Sequence, residues 1–276
     1  MKRIANNLRV ARTVASVATM SIILAAIGCA QENKSTKKPL PAKINWPAVV
    51  PSELIARFSC GSGYEGEVFD LKGDGSFDFT HYSCTFSQKC SGQYKLESGV
   101  VVLTADGSYP SLFAKFKNSR LKPVKWRTRR LVPLAWGDRM YLIEEGGHVE
   151  FCNQVNEGWE PRNRIHGRFL LRTDDWEIPV NEKPGLPNEY TDHLIDAPCE
   201  AKVLSQKEHV LRLDKGSREG VFVGMRLAAH PKGKIAFRSS IEVVSVKQNT
   251  AVAEVRWGSW PEPGDAVFIN RRSADD

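Results

Sequence analysis

Two runs of alternating apolar and polar residues, joined by a glycine-containing turn, form a unit that this chain repeats along most of its length. Gly66 to Leu71 and Ser76 to Thr80 flank Lys72-Gly73-Asp74-Gly75; Gln93 to Leu96 and Val100 to Thr104 flank Glu97-Ser98-Gly99; Leu131 to Trp136 and Arg139 to Ile143 flank Gly137-Asp138. A period of two puts every second side chain on one face of a strand, and glycine supplies the positive φ of tight hairpin turns. Gly167 to Arg172 adds a strand, and residues 188–195, behind Pro187, are the one stretch that reads as helix. Hairpins in such close succession predict a mostly β protein whose antiparallel strands close into barrels or sandwiches.

The pattern restarts near Pro198, with strands beginning at Ala201, His209, Met225, Ile241, Ala251 and Ala266, divided by Gly216, Gly220, Gly224, Gly233 and Gly264. The 276 residues exceed one average folded unit of ~100–150 residues, so two are expected. The division read from the pattern is a β-barrel or sandwich over residues 51–196 and a small C-terminal β-barrel over 197–272. A signal peptide (1–28) and a flexible tether (29–50) precede them.

A net charge of +7 invites a nucleic-acid reading, and its placement argues against one. Lys2, Arg3, Arg9 and Arg12 give residues 1–28 a charge of +4, and Lys34, Lys37, Lys38 and Lys43 against Glu32 give residues 29–45 a charge of +3. Subtracting both from +7 leaves residues 46–276 neutral, with no net field to gather a polyanion. With 41% hydrophobic and 26% charged residues, neither wholesale disorder nor a multi-pass membrane protein fits.

The first 29 residues join a basic start to an apolar stretch from Val14 to Ile27, then small residues and a cysteine. That is the anatomy of a secretion signal. Ser16, Thr19 and Ser21 interrupt the stretch, which falls short of the ~20 residues that span a bilayer. Ala26-Ile27-Gly28-Cys29 resembles the bacterial lipobox, although Ala26 stands where leucine is preferred. The resemblance implies a diacylglycerol on the Cys29 thiol, palmitate-type acyl chains and attachment to the cell envelope. Ala30 after the cysteine implies the outer membrane, by analogy with lipoprotein sorting. An ordinary signal peptide that frees a soluble protein is the alternative. Each buried CH₂ contributes ~0.8 kcal/mol, so two or three chains hold where one does not. Residues 30–50, rich in Lys and Pro, read as a solvated tether.

Two further resemblances bear on the folded part. Leu71, Asp74 to Phe77, Gly92 to Tyr94 and Val100 to Thr104 resemble the strand-and-turn pattern of lipocalin-like and META-like envelope domains. This implies a barrel, and a carrier of that kind would have an apolar pocket lined by Phe77, Phe79, Tyr94 and Leu103. Gly220-Val221-Phe222-Val223-Gly224-Met225, followed by Ile241 to Val244 and Gly264-Asp265-Ala266-Val267, resembles the C-terminal barrel of flagellar assembly protein T. Such modules imply scaffolding or protein contact.

Export implies an oxidising compartment, where Cys60, Cys84, Cys90, Cys152 and Cys199 would pair, leaving one over. Cys84 with Cys90 across a tight loop is the first candidate bridge. Cys60 with Cys152, or Cys152 with Cys199, is the second. Burial as small apolar residues is the alternative to each.

Motifs that suggest chemistry are incomplete. Gly61 to Gly66 matches GxGxxG, but a strand rather than a helix follows. His148-Val149-Glu150 with Pro198-Cys199 resembles a zinc deaminase signature that lacks its second cysteine. No C-x₂-C pair occurs, and the six histidines are scattered, so no metal or other cofactor is expected. Asp70, Asp74 and Asp78 recur at fours, with Lys72 breaking a calcium-loop order. Asp174 and Asp175 are adjacent, so on a strand they face opposite ways. The richest local feature is the crowding of Arg120, Lys122, Lys125, Trp126, Arg127, Arg129 and Arg130 into eleven residues. Trp126, Arg127, Arg129 and Arg130 would suit an anionic or glycan partner. A solvated strand with Val124 and Trp126 turned inward is the competing reading.

The expected function is that of a non-enzymatic envelope lipoprotein, with a scaffolding or contact role toward an envelope protein or the cell wall. A lipocalin-like carrier of a small apolar ligand is the second reading. An envelope hydrolase with an unrecognised site, at which His148, His166 or Asp174 would converge, is the third.

Overall fold

The computed structural model describes residues 51–61, 64–84, 86–106, 108–109, 124–125, 128–161, 169–180, 182–229 and 239–269. Cys29, Trp126, Arg127 and His166 lie outside them. No helix among the described residues is long and apolar enough to cross a membrane.

The chain is mostly β, with two closed antiparallel barrels. The first comprises β1 (Arg57–Gly61), β2 (Glu65–Leu71), β3 (Ser76–Ser83), β4 (Phe86–Glu97), β5 (Val100–Ala105), β8 (Arg129–Trp136), β9 (Arg139–Glu144) and β10 (Phe169–Arg172). They run around the barrel in the order β1-β10-β9-β8-β5-β4-β3-β2, and β6 (Ser108–Tyr109) pairs with β7 (Val124–Lys125) apart from it. The second comprises β11 (Glu200–Lys207), β12 (Val210–Leu213), β13 (Arg226–Ala229), β14 (Ser239–Val246), β15 (Ala251–Trp257) and β16 (Ala266–Phe268), in the order β11-β12-β15-β14-β13-β16. Closure leaves neither sheet an open edge.

Local chemistry explains the hairpins. Ser98 (φ 50°) and Gly99 (φ 81°) both take the left-handed conformation that a two-residue type I′ turn requires, and Glu97 faces Val100 across it. At the β2–β3 turn the Asp74 carboxylate accepts from the Ser76 backbone N–H (2.9 Å) and hydroxyl (2.6 Å).

The period of two then sorts the side chains. Phe58, Phe69, Leu71, Phe77, Phe79, Leu103, Leu131 and Leu142 fill the first barrel. The Phe69 ring lies 4.7 Å from that of Phe79 and 6.2 Å from that of Phe77. Val203, Leu211, Leu213, Met225, Leu227, Ile241, Val243 and Val267 fill the second.

The stretch 188–195 is only a 3-10 turn over Asn188–His193, while the one α-helix among the described residues is α1 (His148–Asn156), which the hairpin pattern does not announce. Its end is a Schellman motif. The Gly158 N–H donates to the Val155 carbonyl (3.0 Å) and the Trp159 N–H to that of Gln154 (2.8 Å), with Gly158 at φ 78°. Phe151 seats α1 on the outer face of β8–β10, with its ring 5.5, 5.7 and 5.9 Å from those of Tyr141, Phe169 and Trp136.

The expected disulfides are corrected by the register. Phe86, opposite Ser83, starts β4, and Cys90 lies four residues further on, opposite Phe79. At ~3.3 Å per residue that puts Cys90 ~13 Å beyond the turn where Cys84 sits, too far for a bridge, which needs Cα atoms within ~7 Å. Cys60 lies in the first barrel's core, Cys199 in the second's, and Cys152 on α1; all five are thiols. Adding reductant is therefore expected to leave the urea unfolding midpoint unchanged. A loss of ~2–5 kcal/mol would show that a bridge had been broken.

Candidate functional site

The cationic segment singled out in the sequence is split by the strand period. Arg129 opposes Leu103, a core residue, and so points into the first barrel; Arg130 opposes Val102 and points out. Outside, Arg130 pairs with Glu145 (2.6 Å) and Glu97 (3.4 Å), and both carboxylates hold its pKa above the usual value. Inside, the Arg129 guanidinium meets Glu67 (2.8 Å) and Glu144 (3.9 Å), with its Cζ 5.0 Å from the centre of the Phe69 ring. His81, facing Glu67 across the sheet, lies 3.4 Å from Glu65. One end of this barrel is thus lined by three carboxylates, an imidazole and a guanidinium above a phenylalanine-filled floor. Both basic residues are committed to carboxylates, which leaves them poorly placed to hold an anion.

The four residues expected to line a carrier's pocket form part of that floor. Phe77, Phe79 and Leu103 are buried, Tyr94 packs against the same cluster, and its hydroxyl donates to the Lys72 carbonyl (2.7 Å). An apolar ligand would have to displace them.

The second polar assembly joins the barrels through α1. Glu150, Asn153 and Glu157 recur at i, i+3 and i+7, so all three face the second barrel. Asn153 Nδ2 donates to the Gly224 carbonyl (2.8 Å), and the Arg226 N–H donates back to Asn153 Oδ1 (3.0 Å). The Arg226 guanidinium donates to both oxygens of Glu157 (2.6 and 3.0 Å) and to Glu150 (3.2 Å). Val149 packs against the second barrel's core. Beside them runs a column of rings: His148 on Tyr190 (4.6 Å, 13°), Tyr190 beside His193 (5.4 Å), His193 on Phe222 (4.4 Å). Burial pushes the His148 imidazole down to about 4, against a weaker opposing pull from Glu145, and lowers that of His193. Burial also pushes the Cys152 thiol up to about 12 and that of Cys90 up to about 11, and raises that of Cys199, keeping these sulfurs protonated.

The remaining motifs are structural where described. Gly61 and Gly66 face each other across β1 and β2, and a Cβ on Gly61 would lie 2.5 Å from the Gly66 Cα, so strand approach demands the glycines. Asp70 pairs with Arg57 (3.0 Å) and Asp78 with Lys72 (2.8 Å). Asp175 is buried and accepts from the Met140 N–H and from Arg172 (both 2.8 Å), whereas Asp174 is exposed, so the two do not converge. No group of three or more metal-ligating side chains is assembled among the described residues.

The Arg226 joint is not visible in the sequence because its members lie some seventy residues apart. Its available signal is the spacing of Glu150, Asn153 and Glu157. Two closed β-barrels locked by one short helix define the class of this protein. No family model, curated protein or solved structure matches the chain.

Proposed function

We propose that the chain is a non-enzymatic lipoprotein of the cell envelope, acylated on Cys29, whose double-barrel body serves as a scaffold that contacts another envelope component. The observation that carries the scaffold reading is the α1 joint. A part-buried, bidentate Arg226–Glu157 pair and the reciprocal Asn153 bonds hold the two barrels together, as a protein that must present a constant surface requires. The anchor rests on the basic, apolar and small-residue order that ends at Cys29. Support for the hydrolase reading weakens because His148 stacks in the joint, depressed by burial, and Asp175 is spent on Met140 and Arg172.

Expression in a bacterial host with labelled palmitate tests the anchor. The native chain is expected to carry label and fractionate with membranes, with Cys29→Ser losing the label entirely. Mass spectrometry of the mature N-terminus should find acylated Cys29 first; an unmodified start at Met1 would overturn the reading. Detergent-solubilised envelopes from the labelled cells then supply the material in which a contact partner co-purifies with the tethered protein.

A further inference from the structure

A crevice of about 180 Å³ opens on the outer face of the second barrel, where β13 and β14 meet the end of α1. Its floor is Ala228 and Ser240, directly opposite each other in the sheet. The Arg226–Glu157 pair forms one wall and Trp257, which faces Ser240 from β15, forms the other. Trp257 is 63% exposed, and Trp260, three residues on, is 45% exposed. Ser239, also in the lining, donates its hydroxyl to the Ser259 carbonyl, which ties the chain between the two tryptophans to the crevice.

We propose that this crevice binds one ring of a neutral saccharide, with Trp257 as the stacking face. A crevice of about 180 Å³ is on the scale of a single six-membered ring rather than a folded chain. The charges exclude the other small ligands. Arg226 is outnumbered by Glu150 and Glu157, which disfavours an anion, and its guanidinium already occupies both carboxylates, which disfavours a cation. An apolar ligand would strip water from this ion pair and the serine hydroxyls without replacing their hydrogen bonds.

A sugar ring has what remains. Its polarised C–H face suits the negative face of an indole. Its rim hydroxyls can donate to Glu157 and accept from the guanidinium and from Ser240. Trp260 offers a second indole to a neighbouring ring, so an oligosaccharide should bind more tightly than a monosaccharide. The inference depends on these linings alone and holds whether or not Cys29 is acylated.

The full chain, purified in detergent, is titrated with cellotriose, maltotriose and the N-acetylglucosamine trimer, and with sodium sulfate and spermidine as charged probes. Calorimetry is expected to show at least one trisaccharide binding with a Kd of ~0.1–1 mM. Trp257→Ala should weaken it at least ~10-fold and Trp257→Phe less, with Trp257→Phe, which keeps an aromatic ring, retaining the native urea midpoint. Failure of all three sugars to bind at ~10 mM, equal binding by Trp257→Ala, or competition by sulfate or spermidine would overturn the proposal. Pelleting with insoluble wall polysaccharide, compared between the native chain and Trp257→Ala, shows whether the saccharide is polymer-borne or free.

Discussion

Replacing Arg226 with alanine is expected to destabilise the protein by about 3–5 kcal/mol and to turn one unfolding transition into two, because it removes the cation that holds the barrels together and strands a buried carboxylate. The Glu157 side chain is only 9% exposed, and both of its oxygens accept from this one guanidinium. Without it, Glu157 keeps the desolvation cost of its charge and loses the compensation. Arg226→Lys should recover part of the loss, since an ammonium supplies the charge without the planar fork that makes the contact bidentate. Glu157→Gln should cost less than Arg226→Ala, and combining the two should add little, the non-additivity of residues that share one interaction. Urea titration followed by tryptophan fluorescence and far-UV circular dichroism reads both effects. A single transition with less than ~1 kcal/mol lost would mean that the barrels are held by something other than this pair.

Acid is expected to weaken the same joint. His148 titrates near 6.5 in an unfolded chain but near 4 in the folded protein, because burial against Tyr190 disfavours the imidazolium more than Glu145 favours it. Between those values the unfolded chain binds the extra proton. Stability is therefore complete above pH ~6.5, falls as pH drops toward 4, and is flat with respect to this group below that; the loss is about 3 kcal/mol. His193, lowered by burial despite Asp192, adds a loss of the same sign. His148→Phe keeps an aromatic ring for Tyr190 to stack on and removes the titration. The difference between the native and variant midpoints at pH 7 and pH 4 isolates His148 from the surface carboxylates. Parallel pH profiles for the two proteins would mean that folding leaves the proton affinity of the imidazole unchanged.

Much of the architecture is encoded locally. The Ser98-Gly99 turn, the Asp74 turn and the period of two within β2, β3 and β5 are contacts between near neighbours, so the hairpins are legible in the order of residues alone. The class that follows from them, two antiparallel β units of which the first is a barrel or a sandwich, is the one observed, and both units close into barrels. Expectation and fold part where a segment's state depends on distant partners. Residues 148–156 have a weak apolar stripe and become helix where Phe151 meets Tyr141, Phe169 and Trp136. The Cys84–Cys90 spacing resembles a closed loop because the length of β4 is not visible in so short a stretch.

By itself the sequence determined the two strand-rich units, the neutral charge of residues 46–276 and the cationic cluster around Arg129. Only the tertiary structure decided that Arg129 turns into a barrel while Arg130 turns out, that the thiols stay apart, and that Glu150, Asn153 and Glu157 meet Arg226. Strand propensity and turn chemistry act over a few residues and leave their mark in composition and spacing. Register and packing join residues far apart in the chain, and their energy comes from desolvation and ion pairing, which exist only once the two surfaces are brought together.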